Sequence, residues 1–316
     1  MIVSTLIITA SGAWAQQRAP SVPDQKKQAV ELCSLPPAFD EKSIAAIKQQ
    51  AVHGKAAAQC SLGEMYTEGQ GVPQDRARAT FWFRKAADQG NTYAQAMLIL
   101  SYSCAAGWSM SEDYSQAVTW FRKSAEKGDV HSQSELGCWY ARGKGTPQDY
   151  VQAALWYRKA AEQGDADAQL MLGILYHDGH GVPQDYAQTA LWFRKAAEQG
   201  DDNGQYGLGK MYNDGQGVPQ DYTQAATWFR KAAEQGLDSA QYNLGVLYND
   251  GQGVPQDYAE AYFWLDLAAA GEQDASWAND AAKQRDEAAS HLTPADLSRE
   301  QERARKWFEE HQTKPK

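Results

Sequence analysis

Two short patterns in this 316-residue chain have the residue types and spacing of reactive sites. Ser124 and Lys127 match S-x-x-K, in which a serine hydroxyl is the nucleophile and a nearby lysine helps to activate it. His177 and His180 frame the segment His-Asp-Gly-His, and imidazole nitrogens at this spacing can ligate a metal ion. Either pattern becomes a site only if the surrounding elements position it as one.

The position of both patterns in a tandem repeat argues against chemistry at either. Ser124 and Lys127 fall at a helix end common to all units, where the equivalent residues 160–163 of another unit read Ala-Ala-Glu-Gln. The S-D-N and K-T-G motifs that accompany S-x-x-K in serine β-lactamases do not occur. Two other units read Asn-Asp-Gly-Gln in place of His-Asp-Gly-His, which favours a solvated turn. The sequence also has no Walker loop, G-x-S-x-G or H-E-x-x-H motif, so we expect no catalytic residue, metal or cofactor.

A period of 36 residues organises most of the chain. One tryptophan per unit marks this period, at Trp82, Trp120, Trp156, Trp192, Trp228 and Trp264. One tyrosine per unit marks it independently, at Tyr66, Tyr102, Tyr140, Tyr176, Tyr212 and Tyr248. The two series place an insertion in the second unit and define six units. We expect the regular tryptophans to be core residues, whereas Trp108 and Trp139 lie outside their register.

Each unit is predicted to fold as two helices joined by a turn. In the unit 164–199, apolar residues recur at helical spacing from Ala166 to His177. Gly173 interrupts this apolar face and recurs in other units, so we expect a close approach of another helix there. Asp185 is the predicted N-cap of the second helix, and Gly200 is the predicted left-handed residue that ends it. One helix pair cannot bury such faces alone, so the units must stack as an all-α solenoid.

The repeated motifs carry a family resemblance. They read Ala-x-x-x-Leu-Gly-x-x-Tyr, Gly-x-Gly-Val-Pro-Gln-Asp-Tyr and Ala-x-x-Trp-Phe-Arg-Lys-Ala-Ala-Glu-Gln-Gly. This pattern resembles the Sel-one-like repeat, a relative of the tetratricopeptide repeat, over about residues 54–271. The second unit departs from it, with Ile99 in place of the glycine. The resemblance implies a right-handed superhelix of helix-turn-helix units, in which the first helices line a concave groove that binds a protein or peptide.

The resemblance also implies an alternative function of a different class. Cysteine-rich secreted members of the family are associated with β-lactam binding or hydrolysis, and their cysteines recur in nearly every unit. This chain departs from those members because it has no cysteine after Cys138. We therefore expect a binding scaffold and keep β-lactamase-like activity as the alternative.

The segments on either side of the repeats predict the remaining organisation. Residues 1–15 contain a short apolar run before Ala-Trp-Ala, which predicts a cleaved signal peptide. Residues 16–53 form a Pro-rich linker and a capping helix predicted from Glu41 to His53. The predicted array covers residues 54–271, and capping helices fill 272–316, the last beginning at Pro294 after the N-cap Thr293. The apolar run is too short to span a bilayer and no cysteine follows it closely, so no stable membrane anchor is expected.

Charge and cysteine content restrict the partners and the compartment. The chain has 30 Lys+Arg against 40 Asp+Glu, a net charge of −10, and no basic block, so nucleic acid is not an expected partner. Its even set of four cysteines suits an oxidising compartment. The economical pairing joins Cys33 to Cys60 and Cys104 to Cys138, and buried free thiols are the alternative.

The predicted groove is defined by first-helix positions that differ between units while the scaffold residues stay constant. The candidates are Glu64, Trp139, His177, Lys210, Asn213 and Asn249. The alternative is that these side chains only face solvent. Together these features predict a periplasmic or secreted adaptor that binds a protein or peptide of the cell envelope, with cell-wall fragments as a further possible ligand.

Overall fold

The computed structural model describes residues 40–91, 94–95, 97–98, 114–143, 146–271 and 275–312. The described residues form 14 helices and no strand, which confirms the all-α prediction. The helices are α1 (Glu41–Val52), α2 (Ala56–Glu68), α3 (Arg76–Asp88), α4 (Tyr114–Glu126), α5 (Val130–Arg142), α6 (Tyr150–Glu162), α7 (Ala166–Asp178), α8 (Tyr186–Glu198), α9 (Asp202–Asp214), α10 (Tyr222–Glu234), α11 (Asp238–Asp250), α12 (Tyr258–Ala269), α13 (Ala275–Ser290) and α14 (Pro294–Gln312).

The chain divides into two compact units, residues 1–148 and 149–316. In the first unit, α1 packs on α2, α2 on α3, and α4 on α5. In the second unit, each helix from α6 to α12 packs on the next, and α14 packs on α12. Burial by sequential neighbours is the arrangement of an α-solenoid, because each apolar helix face is covered by the next hairpin.

Aspartate side chains begin the helices, as the sequence predicts. Asp185 Oδ1 accepts hydrogen bonds from the backbone N–H groups of Ala187 and Gln188 at 2.9 and 3.0 Å. These bonds satisfy amides that lack a partner in the first turn of α8. Asp149 and Asp257 cap α6 and α12 in the same way, and Asp221 caps α10 by accepting from the N–H of Gln224 at 3.0 Å. Gly200 has a φ of 93°, so the predicted left-handed residue after α8 is confirmed.

A missing side chain lets the two helices of a unit approach closely. A Cβ atom placed on Gly173 would lie 2.6 Å from the ring of Phe193, and one on Gly209 would lie 2.7 Å from the ring of Phe229. Both distances are shorter than a carbon–carbon contact allows. The predicted close helix contact is therefore confirmed, and its partner is the phenylalanine after the register tryptophan.

The register tryptophans form part of the core, although to different degrees. Trp156, Trp192 and Trp264 are each 6% exposed, and Trp82 and Trp228 are half-buried. The side chain of Trp120 lies outside the described residues, as does Trp108. Small alanines fill the space between helices, which allows rigid stacking of the hairpins.

A chain of glutamine side chains links the helix ends within the second unit. Gln205 donates to the carbonyl of Ala197 at 3.3 Å, and Gln235 donates to the side-chain oxygen of Gln205 at 2.8 Å. Gln199 and Gln169 repeat this arrangement one hairpin earlier at 2.8 Å. Buried amide groups need such partners because an unpaired polar group costs free energy in the core.

The terminal helices also follow the predictions. Asp40 caps α1, and the N–H of Asp296 donates to Thr293 Oγ1 at 3.2 Å at the start of α14. No described helix is long and apolar enough to span a membrane. Residues 1–39, which include the predicted signal peptide and Cys33, lie outside the described residues, and so does Cys104. Neither Cys60 nor Cys138 is a free thiol in the structure, but the predicted pairing stays a prediction.

Candidate functional site

The S-x-x-K pattern lies at the end of α4. The carbonyl of Ser124 accepts hydrogen bonds from the N–H groups of Lys127 and Asp129, at 3.1 and 3.2 Å, which ends the helix. The following Gly128 has a φ of 96°. The segment thus has the helix-ending role that its register predicts. Across the described residues, no group of three or more His, Cys, Asp or Glu side chains is placed to hold a metal ion.

The histidine pair is divided between a helix and a turn. The structure places His177 in the last turn of α7, where the predicted helix ends, and His180 in the turn that follows. Its Nδ1 lies 2.8 Å from Asp178 Oδ1. The ring of His180 stacks on Tyr150 with centroids 4.7 Å apart. Each imidazole therefore contacts a different neighbour.

Trp139 does not line an open groove, so this candidate is wrong. Its side chain is 1% exposed and packs on Phe121, with ring centroids 4.8 Å apart. The reason lies in the register, because Trp139 immediately precedes the register tyrosine Tyr140. Other units have Leu175 and Met211 there, and both are buried.

Glu64 and Asn249 are buried as well, which corrects two further groove candidates. Glu64 is 6% exposed and belongs to the continuously buried part of α2. Asn249 is 7% exposed because α13 lies against it, where Gln284 Oε1 accepts a hydrogen bond from Asn249 Nδ2 at 3.2 Å. Helix α13 thus covers Asn249, whereas the equivalent Asn213 of α9 is only half-buried.

His177, Lys210 and Asn213 are only partly buried, and we call these three residues the first-helix surface. Asp214 organises the α9 part of it, because Lys210 Nζ lies 3.1 Å from one carboxylate oxygen and Asn213 Nδ2 donates to the other at 2.8 Å. Tyr206 lies on the same helix. Burial raises the pKa of Tyr206 above its ordinary value, so its hydroxyl stays protonated at neutral pH.

A second surface follows the second helices α6, α8 and α10. Each of these helices carries an arginine followed by a lysine, and we call the six side chains the basic row: Arg158, Lys159, Arg194, Lys195, Arg230 and Lys231. Arg158 donates to the hydroxyl of Tyr176 at 2.5 Å and Arg194 to that of Tyr212 at 2.8 Å. Arg230 repeats the bond with the register tyrosine of α11.

The lysines of the basic row lie over the register tryptophans. The Nζ atoms of Lys159, Lys195 and Lys231 are 4.0, 4.1 and 3.9 Å from the ring centroids. These are cation–π contacts between residues three apart on one helix. None of the sequence predictions concerns this surface, although the repeated Trp-x-Arg-Lys segment is a signal for it.

Open clefts separate neighbouring second helices. The cleft between α6 and α8 has a volume of about 510 Å³, and its lining includes Arg158, Tyr176 and Trp192. The cleft between α10 and α12 has a volume of about 390 Å³ and equivalent lining residues. The second of these also contains Arg303 of α14, which binds Glu260 at 2.7 Å and covers the ring of Phe263 at 3.8 Å.

Comparison with known proteins agrees with this architecture. The Sel1 repeat model matches residues 56–91, 94–129, 130–165, 166–201, 203–237, 238–272 and 289–310. The crystal structure of a Sel1 repeat protein from Oxalobacter formigenes is 33% identical, covers 89% of this chain and 80% of its own, and has a TM-score of 0.62. The structure of a protective antigen from uropathogenic Escherichia coli strains, which displays an SLR fold, is 30% identical over 85% of this chain and 72% of its own, with a TM-score of 0.39.

Among curated proteins, chitin synthase regulatory factor 3 of Schizosaccharomyces pombe is 45% identical over 65 residues. The match includes 20% of this chain and spans only 7% of that protein. The family matches also change the predicted number of repeats from six to seven, since the last, shorter match at 289–310 falls on the predicted C-terminal cap. The reason is that α14 packs on α12 and adds Ala304 to its buried core, as a further repeat helix would. Matches over most of its length show that the chain belongs to the Sel1 repeat family.

Proposed function

We propose that this protein is an interaction scaffold whose first-helix surface binds a protein or peptide partner. Sel1 repeat proteins are protein-interaction scaffolds, and the repeats occupy most of this chain. One observation carries the choice of surface: Lys210, Asn213 and Asp214 form a half-exposed polar group on a helix whose other face is buried. The positions equivalent to Lys210 are Ile174 and Val246, so the exposed chemistry changes on a constant scaffold.

The proposal places the scaffold in the periplasm or outside the cell, with its partner in the cell envelope. The apolar run before Ala-Trp-Ala and the even number of cysteines support this location. Cell-wall fragments are ligands that the same polar surface suits. N-terminal sequencing of the full chain from fractionated cells tests the location, and a mature N-terminus at Gln16 in the envelope fraction is the expected result.

Site-specific photo-crosslinking tests the binding surface. A benzoylphenylalanine at position 213 replaces Asn213, and the matched control replaces Ser298, an exposed residue of α14. We expect a discrete protein adduct in envelope fractions from position 213 and no such adduct from position 298. The partner identified by mass spectrometry should then bind the Lys210→Glu variant about tenfold more weakly, since charge reversal replaces attraction by repulsion.

Equal adducts at both positions, or unchanged binding by Lys210→Glu, would remove the first-helix surface from the proposal. Turnover of a chromogenic cephalosporin by the oxidised protein would instead support the alternative of β-lactamase-like activity. A Ser124→Ala variant is the matched control for that assay, because it removes the hydroxyl of the S-x-x-K pattern at the end of α4.

A further inference from the structure

The basic row consists of cations without carboxylate partners. Among the described residues, none of its six side chains forms an ion pair. In α13 and α14, by contrast, Arg285, Arg303 and Arg305 each pair with a carboxylate. The chain has ten more acidic than basic residues, so unpaired cations are unexpected here. Their neighbours are tyrosine hydroxyls and tryptophan rings, which fix the positions of the cations without forming an ion pair.

The cations are regularly spaced because they belong to a repeat. Each arginine–lysine pair recurs after 36 residues on the next second helix. The helices α6 and α8 both pack on α7, and α8 and α10 both pack on α9. Since packed helices lie about 8–10 Å apart, neighbouring arginine–lysine pairs lie within about 20 Å of each other. An extended polypeptide advances about 3.3 Å per residue, so about three to six residues of such a chain cross one unit, and carboxylates at that spacing would meet one pair after another.

The surroundings of the row favour a peptide over a continuous polyanion. Exposed carboxylates follow the cations one turn later on each helix, at Glu162, Glu198 and Glu234. A nucleic acid strand, with a charge on every phosphate, would be repelled by them. Leu155 and Leu191, which are 45% and 43% exposed, lie one turn before the cations on α6 and α8. These leucines offer apolar contacts to residues between the acidic ones.

We propose that the basic row binds an extended acidic peptide segment of a partner protein, with carboxylates spaced about three to six residues apart. The proposal rests on attraction between the cations of the basic row and the carboxylates of the peptide. The chain's net negative charge opposes this binding only weakly, since charges beyond about 8 Å are screened at physiological salt. This surface shares no residue with the first-helix surface, so variants of each can test the two proposals independently.

Fluorescence anisotropy with synthetic peptides tests the proposal on the full chain. The probe is a labelled peptide of four Glu-Ser-Gly repeats, and its control has the same composition with the glutamates in one block. We expect the spaced peptide to bind about fivefold more tightly. The triple variant Lys159→Gln, Lys195→Gln and Lys231→Gln should lose about tenfold in affinity, because three exposed charge pairs disappear.

Two matched variants make the result specific. Lys210→Gln removes a cation of the first-helix surface and should leave peptide affinity unchanged. The triple lysine-to-arginine variant keeps the charge and should bind normally, which separates lost charge from lost folding. Equal affinity for the two peptides, unchanged binding by the triple glutamine variant, or tighter binding of a DNA oligonucleotide of the same charge would each overturn the proposal.

Discussion

At the residue scale, position within the repeat decides what a side chain does. The residue before each described register tyrosine is buried. Trp139 has this position, whereas the groove candidates Glu64 and Lys210 lie two residues before their tyrosines, so Trp139 belongs to the core. The basic row was missed for a related reason. Helical spacing places Arg194 and Lys195 at the solvated edge of an amphipathic helix, but it does not show that one binds Tyr212 and the other covers Trp192.

A glycine prediction belongs to the same scale. Gly209→Ala should destabilise the protein by about 1 kcal/mol, because the added methyl group meets the buried ring of Phe229 at 2.7 Å. In the Phe229→Ala background the same change should stabilise by up to about 1 kcal/mol, since the clash is gone and alanine favours the helix. Urea unfolding of the four proteins measures both effects. The same sign in both backgrounds would contradict the close-contact interpretation.

At the element scale, sequence patterns located the helices well. The first helix of the unit 164–199, predicted from Ala166 to His177, is observed as Ala166–Asp178. The last helix begins at Pro294, as predicted. Local chemistry explains this success, since N-cap aspartates and left-handed glycines act within one turn. The glutamine chain was not predicted, because its bonds join residues about 30 positions apart and depend on how the hairpins stack.

The glutamine chain should contribute measurably to helix stacking. Gln205→Ala removes the donor to the Ala197 carbonyl and the acceptor for Gln235, and it leaves a small cavity. We expect a loss of about 1–2 kcal/mol in the free energy of unfolding. Gln220→Ala is the control, because Gln220 is exposed and its bonds to the Asn213 carbonyl and the Tyr222 hydroxyl, at 2.8 and 3.0 Å, compete with water, so its loss should cost about 0.5 kcal/mol. Equal losses in urea unfolding would contradict the role of the chain.

The charges of α14 predict a dependence on acid. Hydrogen bonding by Arg305 lowers the pKa of Glu302 from 4.5 to about 2. Because the folded-state pKa is depressed, the ion pair stabilises fully above pH 4.5 and is lost as the pH falls towards 2. The thermal midpoint of wild type should therefore exceed that of Glu302→Gln at pH 6, and the difference should vanish near pH 2. A difference that persists at pH 2 would assign the effect to something other than this carboxylate.

At the scale of the whole molecule, the two compact units differ in covalent constraint. All four cysteines precede residue 149, so the unit formed by residues 149–316 has none. Repeat arrays are held by contacts between neighbours, and their parts can unfold separately. A crosslink that closes a loop in the unfolded chain typically stabilises by about 2–4 kcal/mol. Any disulfides at Cys60 and Cys138 should therefore act on the first unit alone.

Reduction should thus destabilise the protein unevenly. With reductant, amides of α2 and α5 should exchange hydrogen faster, because the free energy of opening should fall by about 2–4 kcal/mol. Amides of α8 and α10 should keep their exchange rates, because no cysteine lies in their unit. Hydrogen exchange with mass spectrometry, read peptide by peptide, measures both. A Cys60→Ser and Cys138→Ser double variant should match the reduced protein and not respond to reductant, whereas equal acceleration in both units would show that stability is shared along the entire chain.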